Sequence, residues 1–65
     1  MTAVLIREIR RRLNLTQPEL AERLRVSVMT VSRWERGASK PMPTFEHQLN
    51  QMAARLPGVE HAKEA

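Results

Sequence analysis

Sixty-five residues, a formal net charge of +4 and no cysteine bound the possibilities before any motif is read. A chain this short makes one small domain near the lower size limit of independent folding, and neither a disulfide framework nor a thiolate metal site can hold it. The opening run MTAVLI is interrupted at once by Arg7, so it reads as neither signal peptide nor membrane span, and the expected location is the cytoplasm, at the nucleoid.

The charge is unevenly spread. Residues 1–40 carry nine Lys and Arg against four Glu, whereas residues 41–65 carry two against three. The simplest use of such an excess is attraction to phosphate, and the bland one is a solvated basic surface.

Residues 2–13 read as a first helix. Thr2 is placed to cap it, and Ile6, Ile9 and Leu13 fall at i, i+3 and i+7 on one stripe, with Leu5 at its edge. Arg10, Arg11 and Arg12 occupy the last turn, where cations suit the helix dipole. Arg11 and Arg12 read as surface groups. Arg10 stands four residues after Ile6 and three before Leu13, so it points to the edge of the core. Asn14 can end the helix in a left-handed conformation, and Leu15 then enters the core.

Residues 17–24 read as a second helix. Thr16 and Glu19 have the Thr-x-x-Glu spacing of a capping box, which satisfies two backbone donors at a helix start. Pro18 suits the first turn and restricts Gln17 towards extended geometry. Leu20, Ala21 and Leu24 are its apolar face; Glu22 and Arg23 face solvent.

Ser27 is a second N-cap candidate and opens a third helix over 28–36. Val31 and Trp34, three apart, turn inward with Val26. Gly37 supplies the left-handed residue after the helix. Ser27, Val28, Met29, Ser32, Arg33 and Arg36 then face outward, and this set contains no acid. Glu35 has no use beside phosphate, so we expect it to form an ion pair with Arg10 that ties the first helix to the third.

Residues 38–43 form a loop punctuated by Pro41 and Pro43. A last helix over 44–56, opened by Thr44 or Pro43, places Phe45, Leu49, Met52, Ala53 and Leu56 on one face. Pro57-Gly58 ends it, and residues 57–65 read as a short polar tail.

Two short helices joined by a tight turn form a helix-turn-helix, which sends the start of its second helix into the DNA major groove. The outward face of the third helix is suited to that task. Ser27 caps, and also donates to a phosphate. Val28 and Met29 can touch a thymine methyl but cannot make bidentate hydrogen bonds. Ser32 suits a base. Arg33, one turn beyond Met29, is the candidate for guanine O6 and N7. Arg36, at the helix end, suits phosphate, as does one of Arg11 and Arg12.

The segments LNLTQPELA, LRVSVMTVSRWERG and KPMP resemble the Cro/phage-repressor-like (XRE) family of transcriptional regulators. The resemblance spans roughly residues 4–56. It implies an all-α domain of four helices, with a fifth in many members; here VEHAKEA is too short and polar to supply one. It also implies that Gln17 binds a phosphate and buttresses the recognition helix, that Ser39 and Lys40 meet the DNA backbone, and that Val28 and Met29 occupy base-reading positions. The family commonly has an arginine and an acid where Arg10 and Glu35 stand. Asn14 and Arg25 stand where it favours glycine.

No catalytic constellation is present: there is no glycine-rich phosphate loop and no HExxH. His47 and His61 read as ordinary surface residues, so no metal and no cofactor are expected. The expectation is a 1–56 DNA-binding domain, not an enzyme, that occupies an inverted-repeat operator as a homodimer and represses transcription. Alternatives are an antitoxin or excision-control component, or a protein-interaction module that keeps the fold without specific DNA binding.

Overall fold

A computed structural model describes residues 1–56. The tail expected at 57–65, with His61, lies outside them. Among the described residues there are four helices and no strand: α1 (Ala3–Arg12), α2 (Gln17–Leu24), α3 (Val28–Glu35) and α4 (Pro43–Ala53).

Three of the four starts are fixed by short hydroxyl side chains. Thr2 accepts from the Leu5 amide at 3.1 Å, and Ser27 from the Thr30 amide at 3.1 Å. Thr16 Oγ1 accepts from the Glu19 amide at 3.2 Å while Glu19 Oε1 accepts from the Thr16 amide at 2.8 Å, closing the capping box. The fourth start differs: Met42 precedes α4 without a side-chain cap, and Pro43 begins the helix, where its missing N–H is no loss.

Three helices also end alike, each on a residue with positive φ: Asn14 (59°), Arg25 (60°) and Gly37 (77°). The N–H of each returns to a carbonyl three residues back, Asn14 to Arg11, Arg25 to Glu22 and Gly37 to Trp34. The following N–H returns five back, Leu15 to Arg10, Val26 to Ala21 and Ala38 to Arg33, at 2.9–3.0 Å. This double closure satisfies the last carbonyls and swings the chain sharply. It turns Leu15 and Val26 against the core. A side chain at such a φ costs about 1 kcal/mol or more, least for asparagine, so the Arg25 turn keeps its geometry at some strain.

The core is built from all four helices. Ile6 and Ile9 of α1, Leu20, Ala21 and Leu24 of α2, Val31 and Trp34 of α3, and Leu49 and Ala53 of α4 are buried. Leu5, Leu13, Phe45, Met52 and Leu56 pack around them. The Trp34 and Phe45 rings meet at 5.7 Å, tilted by 45°, which fixes α4 against α3. The Met1 amino group reaches Glu46 at 2.7 Å and adds a tie between the start of α1 and α4.

Some expected boundaries need correction. Thr2, Leu13 and Arg36 flank α1 and α3 as caps rather than lying inside them. The last helix begins at Pro43, one of the two openers expected, and ends at Ala53 rather than at 56. Arg55 and Leu56 return to Met52 and Ala53, each three residues back. This tighter turn brings Leu56 back onto the core and suits a chain whose next residue is Pro57, because the residue before proline avoids the helical region.

Candidate nucleic-acid interface

The start of α3 is aimed outward because its inner face is already committed. Val31, Trp34 and Glu35 are buried. At helical spacing this leaves Val28, Met29, Ser32, Arg33 and Arg36 on the remaining surface. Val28 is 44% and Met29 55% exposed, large values for apolar side chains that a folded domain could have hidden. Arg33 and Arg36 are exposed, and Ser32 is half-buried. Neither arginine has a hydrogen-bond or ion-pair partner among the described residues, so both guanidinium forks are available.

The acid of α3 is removed from this surface. The Glu35 carboxylate is 3% exposed and faces inward. Arg10 of α1 holds both its oxygens, Nε on Oε2 at 2.6 Å and Nη2 on Oε1 at 3.1 Å. Gln17 of α2 donates from Nε2 to Oε1 at 3.0 Å. The third Arg10 nitrogen, Nη1, donates to the Leu15 carbonyl at 3.0 Å and secures the link between α1 and α2. One buried carboxylate thus joins three helices and fixes the attitude of α3.

Arg7 completes the arrangement and was not singled out from the sequence. Its Nη1 donates to the main-chain carbonyl of Glu35 at 2.5 Å, capping the negative end of α3 from outside. The available signal was its position three residues before Arg10, on the same side of α1. Arg12 bonds Glu8 one turn earlier at 2.7 Å, and Arg11 is exposed.

The remaining expected phosphate ligands lie around α3. Gln17 is half-buried, and one proton of its side-chain amide is directed at Glu35. Pro18 has no N–H and Thr16 takes that of Glu19, so the Gln17 main-chain N–H is the donor left at the positive end of α2. Ser27 Oγ accepts from the Thr30 amide and lies 3.0 Å from Thr30 Oγ1. Its proton is free for another acceptor only when Thr30 donates in that pair. Ser39 and Lys40 are exposed in the loop after Gly37, which Pro41 anchors by its burial.

The described residues contain no group of three or more His, Cys, Asp and Glu side chains placed to hold a metal ion. No helix among them is long and apolar enough to cross a membrane.

Comparison with known proteins agrees with this geometry. The helix-turn-helix family matches residues 6–47, from the first buried residue of α1 into α4. An uncharacterized HTH-type transcriptional regulator of Methanothermobacter thermautotrophicus is 42% identical over 60 residues, which cover 92% of this chain and 81% of the relative. No solved structure matches the chain.

Proposed function

Because the chain belongs to the Cro/C1-type (XRE) helix-turn-helix family of DNA-binding regulators, we propose that it reads a specific sequence of double-stranded DNA and represses transcription by occupying an operator. The observation that supports this reading is the division of labour on α3. Its acid is buried in an ion pair, and its exposed side offers only apolar, hydroxyl and guanidinium groups.

In this mechanism α3 enters the major groove. Val28, Met29, Ser32 and Arg33 face base edges, with Arg33 on guanine O6 and N7. Gln17, Ser27, Arg36, Ser39 and Lys40 hold phosphates and set the register without reading sequence. Two copies related by a two-fold axis place their α3 helices about one DNA turn apart on an inverted repeat. RNA polymerase is then excluded from an overlapping promoter, and the protein resides at the nucleoid in the cytoplasm.

Run-off transcription tests the mechanism, using a template whose promoter overlaps a duplex the protein has selected from a random library. Transcript should fall in step with occupancy of the site. A rise would assign activation instead, and transcript independent of occupancy would contradict control by this contact.

A further inference from the structure

The exposed first turn of α3 raises a separate question about the chemistry of the operator. Val28 and Met29 stand at the first two positions of the helix, 44% and 55% exposed. Neither can donate or accept a strong hydrogen bond. On a bare surface, two adjacent exposed apolar side chains would be an unfavourable use of helix positions beside the exposed cations Arg33, Arg36 and Lys40. A DNA major groove offers one apolar group that they can cover, the 5-methyl of thymine.

We propose that this protein recognises its half-site chiefly through pyrimidine 5-methyl groups, which Val28 and Met29 enclose, next to a guanine held by Arg33. The inference rests on the reading of α3 as the base-facing helix. Met29 and Arg33 are four residues apart, hence on one face and about 6 Å apart along the axis. The methyl-reading and guanine-reading side chains therefore act close to each other. The basic surround attracts the duplex, and the apolar pair selects among duplexes. Thymine and 5-methylcytosine carry the same methyl at the same ring position, so 5-methylcytosine should substitute for thymine in methyl contact where uracil does not.

Two selections are run in parallel with the full chain, from random-core duplex libraries synthesised with thymidine or with deoxyuridine. Affinity for the enriched thymidine duplex is then compared with its uracil counterpart, for wild type, Val28→Ala and Met29→Ala. Both residues are exposed, and circular dichroism melting shows whether the variants remain folded. The thymidine library should converge on a thymine-containing motif. Each contacted thymine replaced by uracil should weaken wild-type binding about fourfold, the equivalent of one buried methyl group, and each variant should lose sensitivity at one position. Equal affinity for thymine and uracil duplexes would overturn this inference and leave specific DNA binding standing. Failure of the thymidine library to converge would overturn both, whereas failure of the deoxyuridine library alone is the outcome this inference expects.

Discussion

Arg10 and Glu35 meet as a fork, with two guanidinium nitrogens on two carboxylate oxygens at 2.6 and 3.1 Å, although they lie 25 residues apart on α1 and α3. The Glu35 side chain is almost wholly buried and that of Arg10 is 18% exposed. A buried pair need not be more stable than an apolar one of equal volume, but removing one partner strands the other charge. Glu35→Ala should therefore destabilise the domain by about 3 kcal/mol. For so small a chain this lowers the melting temperature by more than about 10 °C. Thermal unfolding followed by circular dichroism checks it, and an unchanged midpoint would mean that the pair contributes nothing. The double variant Arg10→Met/Glu35→Leu should recover much of the loss.

The turn between α2 and α3 carries strain that can be relieved. Arg25 holds φ at 60° with an exposed side chain. Arg25→Gly should stabilise the fold by about 0.5–1 kcal/mol, the steric relief less the extra chain entropy of glycine. Asn14→Gly should gain less, since asparagine already tolerates this region. Urea unfolding at constant slope measures both.

The capping box at Thr16 serves both stability and the aim of Gln17. Thr16→Ala removes the acceptor for the Glu19 amide and should cost about 1 kcal/mol. Fluorescence of Trp34, the sole tryptophan, gives a direct reading of the loss because the ring lies in the core.

Base and phosphate contacts should separate by salt and by sequence. Arg33→Ala should lose about 1–3 kcal/mol on the selected duplex and relax preference at one base pair. Lys40→Ala should weaken binding to all duplexes alike and reduce the salt slope by about one. Fluorescence anisotropy at several salt concentrations distinguishes the two, and interchangeable behaviour would contradict the assignment.

Local features were the legible part of this sequence. Thr2, Thr16 and Ser27 start helices because a short hydroxyl meets an amide three residues on, a relationship contained within four residues. Leu20, Leu24, Val31 and Trp34 could be placed inside from spacing alone, and all are buried. The end of α4 was harder to read, since Leu56 continues the apolar period while the chain has already tightened. Around α3, the Arg10–Glu35 pair was legible because an acid has no use on a phosphate-facing surface, but the finer contacts about it were not. Gln17 meets Glu35 across 18 residues, and Arg7 binds a main-chain carbonyl, which every residue has and no sequence pattern marks.

The most direct test of the central claim is selection from a random duplex DNA library at near-physiological salt, with wild type and Arg33→Ala side by side. If α3 reads bases, wild type enriches an inverted repeat with half-sites about one helical turn apart, and Arg33→Ala loses the enrichment at the guanine position. Retention of every duplex alike, weakening with salt and indifferent to Arg33, would show a basic surface that holds phosphate without reading sequence, and would contradict the account.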